Sequence, residues 1–322
     1  MGSNLMCTGE SYEKSQITSV DDQLLFLKSK GVTFSCLDGT CARHVLSHER
    51  TLTQLYAYRT LFERRTGGTR DGTYIGLDFS HMVRLSCLDQ RFRQVMLALS
   101  LDIEHAARTR IVVEASKRKE DGFEVVEDYF ASLPSHELHH RKVELSMLRK
   151  DTYNGPLYKC YGEHIPLEAY VELVSFGTLS DLYLHCAKRW DNEEFLREHY
   201  LFKSVRRMRN ACAHGAPILK GIASQDARTG LDDHVVQAIA QTGIAKRVRS
   251  KQTKSECTRH MVTVLYAHKA LVTDQFSRSQ ARATLRALLA ELKTCTGTIS
   301  SSDALRSFAT YLDRIVRSWY DL

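Results

Sequence analysis

Between Ser80 and about Lys117, apolar side chains recur at Val83, Leu85, Leu88, Phe92, Val95, Met96, Leu99, Ile103, Ala107 and Ile111. Steps of three and four residues bring such positions to one side of an α-helix, because successive residues turn about 100° around its axis. The same spacing marks about 40–63 through Leu52, Leu55, Tyr56 and Phe62, and shorter helical candidates lie at 124–131 and 136–149. Near the start, Ser19 with Asp22 three residues later predicts a capped helix that runs through Lys30 and stops at Gly31. Residues 64–76, with Gly67, Gly68, Gly72 and Gly76, predict an exposed loop. No stretch alternates with period two, and only four prolines interrupt the chain. The expected fold class is all-α.

Downstream, Pro166 suits the first turn of a helix ending near Phe176, with Gly177 past its end. Thr178 and Asp181 then resemble a capping box opening a helix through about Trp190. A further helix is expected over 193–214, with a break allowed near Tyr200, and others near 232–248, 255–272, 279–294 and 302–320. The chain divides on this reading into a leader at 1–15, a helical domain at 16–220 and a helical extension at 221–322.

A hydrophobic share of 43% and a charged share of 26% are ordinary for a globular chain. No apolar run approaches the ~18–20 residues that span a bilayer. Met1-Gly2-Ser3-Asn4 lacks the layout of a secretory signal, and Met6 stands where a myristoylation site needs Ser or Thr. The expected location is therefore cytoplasmic, without membrane attachment. Nine scattered cysteines, with no C-x-x-C, read mostly as buried reduced thiols. Cys36, Cys41, His44 and His48 offer four zinc-type donors, but nothing separates them into the two pairs that a structural site uses, so no metal is expected there. The net charge of +7 suits a polyanionic partner. Two basic stretches carry much of it: Lys203, Arg206, Arg207 and Arg209, then Lys246, Arg247, Arg249, Lys251 and Lys254. For the second, a solvated helix face is the preferred reading.

The first basic stretch leads into Arg209-Asn210-Ala211-Cys212-Ala213-His214. Gly215 and Pro217 predict that this helix ends at His214. Asn210 and His214 then lie one turn apart on a shared face, with Arg209 on its flank. A helix C-terminus favours a protonated imidazole, which suits acid–base work near neutrality. An Arg, an amide and a His together fit phosphodiester cleavage. The imidazole can take the proton of a ribose 2′-hydroxyl or supply one to the departing oxygen, and the guanidinium can meet two phosphate oxygens. With the 2′-hydroxyl as internal nucleophile, no metal or other cofactor is required. One helix supplies only one Arg and one His, so a fuller site needs two facing copies, which predicts a homodimer with the motif helices at its interface. Taken alone, the same six residues are also a well-capped helix end with surface arginines.

Other segments add to the motif. Val174-Ser175-Phe176-Gly177-Thr178-Leu179-Ser180-Asp181-Leu182-Tyr183 stands upstream. Earlier come Asp102-Ile103-Glu104 with Arg108-Thr109, Asp78-Phe79-Ser80, Leu85 with Asp89 and Arg93 at steps of four, and Gln23, Leu24, Leu27 and Gly31. In this order, over about residues 16–220, the chain resembles the Abi-D/F family of abortive-infection proteins, a branch of the HEPN superfamily. The resemblance implies a HEPN-type helical bundle, and additional N- and C-terminal helices are expected beside it. It also implies metal-independent RNA cleavage at Arg209, Asn210 and His214, in a dimer or pseudo-dimer. Lys203, Arg206 and Arg207 would contact RNA, and Glu104 and Arg108 would support the motif, unless they form only an i,i+4 ion pair. A growth-arresting role in phage defence follows from the family, as does a non-coding guide or antitoxin RNA as partner. This chain departs from the family at Gly215-Ala216, where another His or a polar residue often follows the motif His. Two other readings stay open: a non-catalytic RNA-binding protein of the same fold, and a helical interaction protein unrelated to RNA.

Overall fold

The longest apolar stripe folds into one uninterrupted helix of 40 residues, Phe79–Arg118, and the other elements assemble around it. Asp78 caps its start: the Asp78 carboxylate accepts the Ser80 N–H, and the Asp78 N–H donates back to the His81 ring. Lys119, left-handed at φ 58°, ends it. The computed structural model describes residues 18–228 and 230–322, so the expected leader at 1–15 lies outside the described residues.

Among the described residues the regular elements are helical, with two isolated β-bridges and no strand. The first three helices, α1 (Val20–Ser29), α2 (Gly39–His44) and α3 (Leu52–Tyr56), precede the long helix, α4 (Phe79–Arg118). Next come α5 (Gly122–Ser132), α6 (Ser135–Met147), α7 (Gly155–Tyr161), α8 (Leu167–Leu173), α9 (Phe176–Arg189) and α10 (Glu193–Ala213). The chain ends with α11 (Asp233–Gln241), α12 (Lys246–Gln252), α13 (Glu256–Leu271), α14 (Gln275–Thr298) and α15 (Asp303–Tyr320). Helix α10 packs on α4, α9 and α13, while α13 and α14 both pack on α4. One buried apolar cluster runs from Leu24 to Tyr320, so the helices after residue 220 share their core with those before it. None of the helices is long and apolar enough to cross a membrane.

The structure corrects four local expectations. The stretch 40–63 is not one helix, because Asp38 and Thr51 each cap a separate start and Arg50 between them is extended. A five-residue π turn (Val45–Glu49) and a 3₁₀ turn (Ala57–Leu61) complete the segment. Gly177 does not follow a helix end: α8 stops at Leu173, and Ser175 caps α9 by accepting the Thr178 N–H at 3.4 Å. The acid that organises this cap is Glu144 of α6, which accepts from Ser175 N at 2.9 Å and Thr178 Oγ1 at 2.6 Å, whereas Asp181 is engaged by Arg141 at 2.5 Å. The stretch 232–248 divides at Gly243, whose φ of 73° is left-handed. Helix α7 was absent from the expected set, although Pro156 in its first turn is a start signal. The allowed break near Tyr200 does not occur, and α10 is continuous.

Polar groups buried between α4, α9 and α10 fix their register. Glu198 accepts from the Tyr183 hydroxyl at 2.5 Å and from Arg110 Nη2 at 2.7 Å. His199 Nδ1 lies 2.7 Å from the Ser180 carbonyl. Burial lowers the affinity of His199 for a proton, as it does for His81, His185, His260 and His268. A depressed histidine pKa means that the unfolded chain binds more protons, so this stability is fully present above the unfolded value near ~6.5 and is lost as the pH falls below it. Urea titrations from pH 8 down to 5 should show a midpoint that declines once the pH passes below about 6.5. A midpoint that rises over that interval would contradict the assignment of these rings as neutral and buried.

Candidate active site

The C-terminal end of α10 is built as a closed helix stop. The His214 N–H bonds to Asn210 O at 3.0 Å, Gly215 N to Cys212 O at 3.2 Å and Ala216 N to Ala211 O at 2.9 Å. This pattern needs a left-handed residue after the cap, and Gly215 supplies it at φ 71°. A residue with a side chain would be strained at this position.

Beyond the stop, α4, the start of α13 and the 3₁₀ turn at Ala57–Leu61 hold the chain. Leu219 N donates to the buried Asp89 carboxylate at 2.6 Å, and Arg93, paired with Asp89, reaches Ala216 O at 3.5 Å. The Cys257 thiol meets Ile218 O at 3.1 Å, Ser255 Oγ donates to Gly221 O at 2.8 Å, and Thr60 Oγ1 to Lys220 O at 2.9 Å. Burial pushes the Asp89 carboxyl up to about 6, against the opposing effect of the Leu219 N–H and Arg93. It therefore still carries its charge at neutral pH.

On the helix itself, Phe202, Val205, Met208 and Cys212 face the core, while Asn210 and His214 are exposed one turn apart. Arg209 lies between these faces, its side chain 35% exposed, with Nη1 donating to Asn210 Oδ1 at 3.1 Å. Its Nη2 is 4.0 Å from Oε2 of Glu104, which is buried in α4. Neither Arg209 Nε nor Glu104 Oε2 has a hydrogen-bond partner among the described residues, although both are buried. Arg108 donates to the other Glu104 oxygen at 2.6 Å and to the carbonyls of Val171 and Val174 at 2.7 and 3.3 Å. Glu104 and Arg108 thus form an i,i+4 pair that also ties α4 to the end of α8 and sets a negative charge beside Arg209.

The first basic stretch spreads in different directions. Lys203 lies over the Tyr200 ring at 4.7 Å from its centre. The Arg207 guanidinium reaches Glu256 at 3.5 Å. Arg206 lies across the first turn of α9, where a β-carbon on Gly177 would sit 2.8 Å from Nη1, a contact that a small shift of the flexible guanidinium would relieve.

Sequence spacing did not indicate the groove of about 320 Å³ beside the motif, lined by Arg50, Gln90, Arg93, Gln94, Ala213 and Gly215 among others. Arg50 Nη2 donates to Gln90 Oε1 at 2.8 Å in its lining. These residues lie far from the motif in sequence and meet it only through packing. Among the described residues, no three His, Cys, Asp or Glu side chains converge on a metal-holding position, and Cys36 and Cys41 are exposed. The His44 and His48 rings stack on one another at 4.7 Å.

The fold is an all-α assembly whose candidate site combines Arg, Asn and His at one helix end. Residues 48–220, more than half of the chain, match the family model described as Abi-like protein, and the chain belongs to this abortive-infection family. The matched span takes in α3 to α10 with the whole motif; α1, α2 and the helices after α10 lie outside it. No curated protein and no solved structure matches the chain.

Proposed function

We propose that the chain is a HEPN-type endoribonuclease acting in abortive infection, with Arg209, Asn210 and His214 as its catalytic residues. The observation that carries this reading is the state of Arg209. Its guanidinium is held by Asn210 and by the Glu104 charge while the side chain stays 35% exposed, and an exposed imidazole stands one turn further on. A scissile phosphate placed on Arg209 would receive paired N–H donors, and the developing charge of the pentacovalent transition state would be offset there. The imidazole of His214 then moves the proton of the 2′-hydroxyl or of the leaving 5′-oxygen. Attack by the 2′-hydroxyl breaks the P–O5′ bond and leaves a 2′,3′-cyclic phosphate and a free 5′-hydroxyl.

A single copy offers one imidazole for two proton transfers, so the complete site is shared by two copies with their α10 ends facing. Specific activity is then expected to fall on dilution as the dimer dissociates. In the cell this activity would act on cytoplasmic RNA and halt growth during phage infection, restrained until then by a partner RNA.

Single-stranded RNA incubated with the purified protein in EDTA tests the reading. Fragments ending in 2′,3′-cyclic phosphate support it. RNA that is retained but uncut, after removal of any co-purified nucleic acid, supports the non-catalytic RNA-binding protein instead. A protein that neither binds nor cuts RNA contradicts both.

A further inference from the structure

From His234 to Ser255 the chain carries five cations, Lys246, Arg247, Arg249, Lys251 and Lys254, and no Asp or Glu. Arg249 is turned inward and donates to Ile244 O at 3.0 Å. The other four are exposed on α12 and the turn behind it, and none forms an ion pair with a carboxylate among the described residues. Arg110, Arg141 and Arg189, by contrast, are each held by two carboxylates. A concentration of unpaired positive charge on one short helix favours a polyanionic ligand.

Arg259 stands between the end of this basic segment and the motif helix. Arg259 of α13 donates through Nε to Thr253 O at 2.5 Å, and its Nη1 is buried with no partner among the described residues. Arg259 also lines a groove of about 510 Å³ together with Tyr200, Lys203 and Arg207 of α10. Tyr200 is 55% exposed there, an aromatic face open to solvent with Lys203 beside it. Two of the acids in the groove are already engaged. Glu256 faces Arg207 and His260, at 3.5 and 3.3 Å, and Asp232 caps α11; Asp233 has no ion-pair partner among the described residues. From His214 back to Lys203, eleven residues of helix span about 17 Å, so the groove lies on the same helix as the motif but away from it.

We propose that the surface from α12 over Arg259 to Tyr200 and Lys203 binds single-stranded RNA, phosphates resting on α12 and Arg259 and a base stacking on Tyr200. The segment after residue 220 then lengthens the RNA footprint of the α10 site. This rests on the reading that RNA is the ligand of that site. An anionic membrane is a poorer match, because the large apolar side chain that α12 exposes is Val248 alone, which gives no face to enter a bilayer.

The test compares the parent with the variant K246Q/R247Q/K251Q/K254Q, whose altered side chains are exposed. A long and a short single-stranded oligonucleotide serve as probes over a range of salt. Long-RNA affinity should fall about 10- to 100-fold, and the log–log salt slope should become shallower by about two to three, as expected when about four phosphate contacts of a single strand are lost. Cleavage of the short oligonucleotide should be unchanged. Tyr200→Ala should weaken binding about 5- to 100-fold, with Tyr200→Phe restoring it, since stacking needs the ring and not the hydroxyl. Unchanged affinity and slope in the fourfold variant would overturn the proposal. So would a parent that binds phosphatidylserine vesicles through these lysines but shows no RNA shift. A parent that binds long RNA through α12 without ever cleaving it upholds the proposal and sinks the nuclease reading, whereas a parent that binds no RNA overturns both.

Discussion

Replacing His214 by alanine is expected to lower RNA cleavage by about 10²- to 10⁴-fold, the range that a positioned acid–base group contributes. The thermal midpoint should stay close to that of the parent, because the side chain is exposed and makes no hydrogen bond among the described residues. The helix stop at this point is formed by backbone groups and by Gly215, which the substitution leaves in place. Arg209 demands a more careful pair of variants. Alanine there removes the phosphate donor but also the cation beside the buried Glu104, so lost activity would be mixed with a packing change. Arg209→Lys keeps the charge and loses the planar fork, so it should fold like the parent and still lose most of the cleavage. RNA retention by Arg209→Lys and His214→Ala with cleavage gone would place both side chains in the chemistry. Cleavage within a factor of about ten of the parent in His214→Ala would remove the imidazole from it.

What the amino-acid sequence made legible here is what depends on local periodicity. Asn210 and His214 sit on one exposed face because their spacing and the glycine and proline behind them dictate it. The 40-residue helix and the last three C-terminal helices were readable for the same reason, as apolar stripes of helical period, whereas 232–248 holds two helices and not one. Reading failed where the deciding partner was remote. Ser175 rather than Thr178 caps α9 because Glu144, a residue of α6, accepts both of their donors. No spacing rule brings Arg50 and Gln90 to the side of Gly215, nor the unsatisfied Arg259 to the side of Lys203. The basic stretch 246–254 shows the same limit from the opposite direction. A solvated helix face was the reasonable expectation for it, and what spacing could not show is that Arg259, which lines the groove of α10, also bonds to the turn behind α12.

Asp89→Ala is expected to destabilise the protein by about 3–5 kcal/mol, the cost of removing one partner from a buried ion pair. The Asp89 side chain is fully buried, paired with Arg93 and bonded to the Leu219 N–H, and alanine would leave both donors without their acceptor. Its loss also frees the segment 216–221 from α4, so the Gly215 stop should fray and cleavage should decline even in folded molecules. Asp89→Asn separates the two consequences. An amide oxygen can still accept from Leu219, and no charge has to be buried, so its cost should be smaller, about 1–2 kcal/mol. The pH dependence of that difference carries the sign of the titration. With a folded pKa of about 6, raised above the unfolded carboxylate value, Asp89 binds its proton more tightly in the fold. Its contribution to stability is therefore largest below the unfolded value near ~3.9 and declines as the pH rises through about 6, opposite to the histidines. The gap between the parent and Asp89→Asn should accordingly widen as the pH falls from about 6 toward 4. Urea titrations of both proteins across that interval decide the matter, and a gap that narrows would mean that Asp89 enters the fold already ionised and well solvated by its partners.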